Sequence, residues 1–178
     1  MFDNLDEVQV TKKVNYLQSG VHTVKIVDVN TSGQREGYEG IPYTEFKVSN
    51  QDGITYIKMF GKDKNSSEKA IDVRKKVFKE FLIATGTKSF SNVATAIKET
   101  IGKEINVCLA EREYWIYDKL TGEPIIKKVI TYKFANPVNE SITWNENYNK
   151  KLSPTDRELY HEAHTAFKGD KITTDLPF

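Results

Sequence analysis

The sequence lacks the features that mark secreted and membrane-embedded proteins. Its 178 residues include a single cysteine, Cys108, so no intrachain disulfide can form, which is consistent with a reducing compartment. No apolar run approaches the roughly 20 residues that a membrane-spanning helix needs. The acidic stretch MFDNLDEVQ at the N-terminus has no apolar segment of the kind found in secretory signals. We therefore expect a cytoplasmic protein without membrane contact.

The sequence also lacks a strong excess of either charge. The formal net charge is +1, so no global field draws the protein to nucleic acid or anionic lipid, and any such binding depends on local clusters of cations. Apolar residues make up 38% of the chain, enough for the core of one ordinary domain with an appendage.

Motifs for catalysis are equally scarce. The stretch GKDKNSS contains Gly-Lys without the glycine spacing of a phosphate-binding loop. Cys108 lies between Val107 and Leu109, a setting typical of an inert thiol at the edge of the core. Glu111 and Glu113 share a strand face and could hold a metal, but solvated carboxylates are commoner there. Because no base, nucleophile and oxyanion donor come together, we predict a non-enzyme that needs no cofactor or metal.

Period-two alternation predicts three strands in the first third of the chain. The strand from Gly20 places Val24 and Ile26 on one face, and a glycine-rich loop of about a dozen residues follows it. PYTEFKVSN and ITYIKMF, joined by the turn QDG, form a hairpin. Its core residues would be Phe46, Val48, Ile57 and Met59. Its other face would carry Tyr43, Glu45, Lys47, Tyr56, Lys58 and Phe60.

The remaining patterns predict helices and a second hairpin. Helical spacing begins near Ser67 and ends at Gly86, with Ala70, Val73, Val77, Phe78, Phe81 and Leu82 as the apolar face. SNVATAIKETI is a short helix capped by Ser91. Two strands joined by DKLTGEP then form a long hairpin that projects beyond the core from Tyr114 to Ile125. This order predicts a mainly β protein, a five-stranded Greek-key barrel with helices between strands 3 and 4.

The composition changes after Pro137. The stretch VNESITWNENYNKKL is polar and predicts a linker, and SPTDRELYHEAHTAFKG predicts a C-terminal helix with Ser153 as N-cap, Pro154 at the first position and Gly169 after its end. The predicted organisation is a binding domain over residues 1–137, a linker and helix over 138–169, and a flexible tail over 170–178.

Aromatic and basic residues recur together on three segments. Single-stranded nucleic acid is bound by cations that contact phosphates and by flat rings on which bases stack. The glycine-rich loop, the first hairpin with the residues after it, and the long hairpin supply such side chains. The candidate binding residues are Arg35, Tyr38, Tyr43, Lys47, Tyr56, Lys58, Phe60, Lys62, Lys64, Arg112, Tyr114, Trp115, Tyr117, Lys119, Lys127 and Lys128.

Three alternative functions are open. Stacking does not distinguish DNA from RNA, so the ligand could be single-stranded RNA. Exposed tyrosines and tryptophans are also enriched at protein interfaces, so an adaptor or structural protein is a second alternative. A nuclease with a metal held by Glu111 and Glu113 is the third. Homo-oligomers are compatible with all of them.

The order of elements, together with the final residues DLPF, resembles single-stranded DNA-binding proteins of the OB-fold class, and the layout is most similar to bacteriophage-encoded members. The resemblance implies an OB-fold barrel that protects single-stranded DNA during replication and recombination, in the host cytoplasm if phage-encoded. It also implies that the tail docks replication or recombination proteins through Asp175, Leu176, Pro177 and Phe178. Family tails usually carry a run of acids, whereas here only Asp170 and Asp175 are present, with Lys171 between them.

Overall fold

Over the residues that the structure describes, the fold is mainly β, with a five-stranded antiparallel sheet and three α-helices, as the sequence predicts. A computed structural model describes residues 13–34, 42–62 and 64–174. The strands are β1 (Gly20–Gln34), β2 (Pro42–Asn50), β3 (Gly53–Phe60), β4 (Glu104–Tyr117) and β5 (Pro124–Pro137). The helices are α1 (Glu68–Ala84), α2 (Val93–Glu99) and α3 (Pro154–Thr174).

The strand order is β3-β2-β1-β4-β5, with the long strand β1 at the centre. The first part of β1 pairs with β4, from Gly20 opposite Leu109 to Lys25 opposite Glu104. Its later part pairs with β2, as far as Gln34 opposite Pro42. Within the described ranges β3 and β5 share no hydrogen-bonded ladder, and α1 contacts both of them.

The predicted core face of the sheet is confirmed. Phe46 and Ile57 are fully buried opposite each other, and Val48 and Met59 are also buried. Phe81 of α1 packs on this face, with its ring centroid 4.6 Å from that of Phe46. Alternation places the core side chains of the strands on one side of the sheet, where Phe81 joins them, and burial of these large apolar side chains is the main stabilising contribution to the fold.

The predicted helices are present, with two local differences. Ser67 caps α1, because its Oγ accepts a hydrogen bond from the Ala70 N–H at 3.3 Å. Val73, predicted on the apolar face of α1, is 56% exposed. The cap of α2 is Asn92 rather than Ser91: the Asn92 carboxamide oxygen accepts from the Thr95 N–H at 3.1 Å. Asn and Ser are both good caps, and the helix begins one residue later than the pattern suggests.

Residues 138–152, predicted as a linker, lie along the sheet. The Asn106 side chain, which is 7% exposed, donates hydrogen bonds to the Val138 and Glu140 carbonyls at 3.1 and 2.9 Å. Further along, Lys150 forms a parallel bridge with Arg112 of β4. These contacts fix the start of α3 beside the β4–β5 hairpin.

Helix α3 begins as predicted and extends beyond its predicted end. The Ser153 Oγ accepts from the Asp156 N–H at 3.1 Å, which confirms the N-cap. The helix continues through Gly169 to Thr174. Gly169 is not among the glycines with positive φ, so it does not form the left-handed cap that would end a helix.

Candidate nucleic-acid interface

The side of the β2–β3 hairpin that faces away from the core carries the predicted aromatic and basic residues. Register pairs Tyr43 with Phe60, Glu45 with Lys58 and Lys47 with Tyr56. Directly paired residues in an antiparallel sheet share a face, and their neighbours Phe46 and Ile57 point into the core. We call this surface the outer face. Its members are Tyr43, Glu45, Lys47, Tyr56, Lys58 and Phe60.

Three side chains of the outer face form a compact cluster. The rings of Tyr43 and Phe60 pack edge to face, with centroids 5.9 Å apart. The Lys58 ammonium lies 4.8 Å from the centroid of the Tyr43 ring. These contacts restrict the rotamers of Tyr43 and Lys58, so less conformational entropy is lost when a ligand binds to them. The structure thus brings predicted binding residues from two strands into one cluster.

Acidic side chains accompany both lysines of the outer face. The Lys58 ammonium lies 3.5 Å from a carboxylate oxygen of Glu45. Lys47 pairs in register with Asp28 of β1. A phosphate approaching either lysine therefore meets a nearby carboxylate, and the net positive potential of this surface is small. Tyr56, which is 43% exposed, offers ring surface next to Lys47.

The residues beyond the two ends of the hairpin are only partly described. Lys62 and Lys64 are exposed after the end of β3. Arg35 and Tyr38 lie outside the described residues, as do Asp175, Leu176, Pro177 and Phe178 of the predicted docking tail.

The predicted residues of the β4–β5 hairpin divide between its two faces. Arg112 and Tyr114 alternate with Trp115 and Tyr117 along β4, and Tyr114 pairs with Lys127. Pairing across β1 and β4 places Val24 and Ile105 on the core side of the sheet, and β4 continues that side through Leu109 to Trp115. The residues on the same side of the sheet as the outer face are therefore Arg112, Tyr114 and Lys127.

Trp115, Tyr117 and Lys128 lie on the opposite side of the hairpin, where α3 packs. The ring of Trp115 is 6.3 Å from that of Tyr160 on α3 and 5.4 Å from that of Tyr117. The Lys128 ammonium donates to a carboxylate oxygen of Glu111 at 2.8 Å, and this hydrogen bond raises the pKa of Lys128. Lys119 is exposed in the turn between the strands. The predicted binding residues of the β4–β5 hairpin therefore lie on two sides of the sheet and cannot all contact one ligand from the same side.

Glu111 and Glu113, the residues considered for a metal, hold the segment that leads into α3. The Glu113 carboxylate accepts a hydrogen bond from the Leu152 N–H at 3.2 Å. The backbone of Glu111 bonds both to Lys150 and to the Asn149 side chain. Among residues 13–34, 42–62 and 64–174, no group of three or more His, Cys, Asp or Glu side chains is placed to hold a metal ion.

Two exposed or aromatic features were not predicted from the sequence. Tyr148 packs between Trp144 and Phe134, with ring centroids 5.7 Å from each. Leu120, in the turn between β4 and β5, is 96% exposed. The exposure of Leu120 could have been predicted from the presence of a leucine in the otherwise polar turn DKLTGEP. The aromatic cluster around Tyr148 depends on tertiary contacts of residues 138–152, which no local pattern indicates.

Two further groups with shifted pKa values, Cys108 and Tyr132, lie in or against the core. Burial raises the pKa of the Cys108 thiol, which favours the unreactive protonated form. Burial likewise raises the pKa of Tyr132, which packs against Phe81.

Of the helices in the described ranges, none is sufficiently long and apolar to cross a membrane. No protein-family model matches the chain, and a search of curated proteins found no match.

Proposed function

We propose that the chain binds single-stranded DNA through the outer face, on a five-stranded Greek-key barrel of the OB type. The strand order supports this architecture, because a central β1 paired with both β2 and β4 is the arrangement of such a barrel opened between β3 and β5. Helix α1, which follows β3 in the chain, contacts the two strands on either side of that opening. The barrel is part of the proposal.

The observation that carries the proposal is the composition of the outer face. Tyr43, Tyr56 and Phe60 lie on the side of the hairpin opposite the core, interleaved with Lys47 and Lys58. Every base has a flat face, so such rings bind successive bases with little sequence preference, at roughly 1–3 kcal/mol per stacked base. Lysines between the rings are placed to contact the phosphates that connect those bases.

Arg112, Tyr114 and Lys127 extend the proposed surface. They lie on the same side of the sheet as the outer face, although on another hairpin. Their partners on the other side, Trp115 and Tyr117, support α3 in this proposal rather than bases. Together with the exposed Lys62 and Lys64, these residues add positive charge that the outer face itself largely lacks.

The proposed biological role is protection of unpaired DNA during replication or recombination. The residues Asp175, Leu176, Pro177 and Phe178 would recruit partner proteins, because Pro177 restricts the chain to extended conformations and Phe178 offers a large apolar side chain for a pocket. Deleting these four residues should abolish partner capture and leave the affinity for oligo(dT) within about twofold of the full chain. Retention of capture after the deletion would remove the docking role.

Fluorescence anisotropy of a labelled oligo(dT) tests the binding surface. We expect Tyr56→Ala and Phe60→Ala each to weaken binding by roughly 1–3 kcal/mol, about five- to 150-fold. The matched control is Phe90→Ala. Phe90 lies away from the outer face, and the Lys79 ammonium lies 5.3 Å from its ring centroid, a contact like that of Lys58 with Tyr43. We expect the control to bind normally.

Two outcomes of this experiment would contradict the proposal. Equal affinity of the wild-type chain and both outer-face variants would exclude the outer face as the stacking surface. Absence of oligo(dT) binding by the wild-type chain would exclude the function. A parallel titration with oligo(rU) determines whether the ligand is DNA or RNA, since tighter binding of the RNA would favour the RNA-binding alternative.

A further inference from the structure

A short segment before β1 runs along the edge of β3 that faces away from β2. Tyr16 forms a parallel bridge with Ile54. The Ile54 N–H donates to the Asn15 carbonyl, and the Leu17 N–H donates to the Ile54 carbonyl, both at 2.9 Å. We call residues 15–17 the edge segment. These two backbone bonds fix its register against β3.

Burial of Leu17 sets the orientation of the edge segment. Leu17 is 2% exposed and belongs to the hydrophobic core. Adjacent residues of an extended segment point to opposite sides, so Tyr16 points away from the core. The bridge agrees with this orientation, because bridged residues share a side and Ile54 lies two positions before Tyr56 of the outer face. The Tyr16 side chain therefore lies on the same side of the sheet as the outer face, and it is 59% exposed.

Gly53 allows the edge segment to approach β3 this closely. A Cβ atom at Gly53 would lie 2.5 Å from the Asn15 carbonyl oxygen and 3.0 Å from the Asn15 carbonyl carbon. Both are backbone atoms and cannot rotate away, so a larger residue at this position would displace the edge segment. The placement of Tyr16 thus depends on the buried Leu17, on two backbone bonds and on a glycine opposite them.

Tyr16 lies next to the exposed ring of Tyr56. Neighbouring strands are about 4.8 Å apart and residues two positions apart in a strand are about 6.6 Å apart, so the Cα atoms of Tyr16 and Tyr56 are about 8 Å apart. Tyr43 and Phe60 pack together at the other end of the outer face. A row of rings therefore runs from Tyr43 and Phe60, through Tyr56, to Tyr16 beside the turn between β2 and β3.

We propose that Tyr16 is a further stacking residue for single-stranded DNA, which extends the outer face by one base beyond Tyr56. This inference rests on the proposed function of the outer face. Continuity with that face identifies the occupant: a strand that stacks on Phe60 and Tyr56 and continues toward the β2–β3 turn meets the Tyr16 ring next. The fixed backbone of the edge segment lowers the ordering cost of that contact, and the ring accepts any base.

Fluorescence anisotropy of a labelled oligo(dT) with the full chain tests the role of Tyr16. We expect Tyr16→Ala to weaken binding about five- to 150-fold, the loss of one stacked base. Tyr16→Phe keeps the ring and should bind within about twofold of wild type. The matched control is Val14→Ala, which truncates another exposed side chain two positions earlier, 51% exposed and without a ring, and should also bind within about twofold. Because the Tyr16 side chain is largely exposed, Tyr16→Ala should keep the wild-type midpoint of urea unfolding.

Gly53→Ala tests the placement of the edge segment while keeping the Tyr16 ring. The added Cβ displaces the Asn15 backbone, so we expect a loss of affinity similar to that of Tyr16→Ala. In a chain that already carries Tyr16→Ala, Gly53→Ala should cause no further loss beyond about twofold. Normal binding by Gly53→Ala, or a full additional loss in the double variant, would contradict the positioning of Tyr16 by the edge segment.

The results that overturn the role of Tyr16 differ from those that overturn the outer face. Normal oligo(dT) binding by Tyr16→Ala, with weakened binding by Tyr56→Ala and Phe60→Ala, excludes Tyr16 alone. A loss with Tyr16→Phe as large as that with Tyr16→Ala would contradict stacking, and an equal loss with Val14→Ala would show that the ring is not responsible. A change in sedimentation of Tyr16→Ala at unchanged oligo(dT) affinity would make Tyr16 a contact between copies of the chain. Absence of oligo(dT) binding by the wild-type chain removes the proposed function, and the role of Tyr16 with it.

Discussion

Asn106→Ala tests whether residues 138–152 are held to the sheet by the contacts described above. The Asn106 side chain, near the start of β4, is 7% exposed. Its amide group donates to the Val138 and Glu140 carbonyls, and its oxygen accepts from the Thr23 hydroxyl at 2.7 Å. The substitution removes these bonds, together with the longer one from the Asn106 amide to the Pro137 carbonyl at 3.4 Å, and leaves a small void beside β1.

The expected cost follows from the three shorter bonds. A hydrogen bond in a folded protein contributes about 0.5–1.5 kcal/mol net. Val138 and Glu140 are exposed, so their carbonyls can bond to water after the substitution and avoid the larger penalty of burial without a partner. We therefore expect Asn106→Ala to lower the free energy of unfolding by about 2–3 kcal/mol. Thr23→Val, which removes only the bond to the Asn106 oxygen, should cost about 1 kcal/mol.

Urea unfolding followed by two probes measures this effect. Far-ultraviolet circular dichroism reports on the whole sheet, and the fluorescence of Trp144, the tryptophan within residues 138–152, reports on the segment. Because Trp115 also fluoresces, the measurement uses a Trp115→Phe background. A loss below about 0.5 kcal/mol, with Trp144 unfolding unchanged, would refute the structural role of Asn106.

Three further predictions concern the core and the outer face. Phe46→Ala should destabilise the chain by about 3–5 kcal/mol in urea unfolding, because its ring is fully buried against Phe81; a loss near 1 kcal/mol would contradict this packing. Cys108 should react with a thiol reagent only as fast as the chain unfolds, since the thiol is fully buried and burial also raises its pKa; immediate reaction would show an accessible thiol. Glu45→Gln should tighten oligo(dT) binding about two- to threefold by releasing Lys58 for phosphate, and weaker binding would contradict the proposed phosphate contact.

The first hairpin could be predicted from sequence because local and global preferences agree there. Pro42 begins β2, and the alternation of Phe46 and Val48 with polar neighbours matches a strand buried on one face. The same rule separated the outer-face residues correctly. Applied to β4, the same rule places Tyr114 and Trp115 on opposite sides of the sheet, because they are adjacent in the strand. The candidate residues of the β4–β5 hairpin therefore divide between its two faces.

Other features depend on contacts that no local pattern contains. Residues 138–152 are held mainly by bonds from their backbone to β4 and to the Asn106 side chain, which residues of any type could make, while their polar composition is typical of a linker. Gly169 is compatible with both a helix end and a helix interior, and only its backbone conformation separates the two. The packing of α3 on the β4–β5 hairpin likewise depends on the tertiary contact of Tyr160 with Trp115.

Photo-cross-linking to oligo(dT) tests the central proposal most directly. Ultraviolet irradiation joins thymine to side chains in van der Waals contact, and mass spectrometry of the digested complex identifies the residues. We predict cross-links at Tyr43, Tyr56 or Phe60, on the side of the sheet opposite the core. Cross-links confined to Trp115 and Tyr117, on the side where α3 packs, would contradict the account.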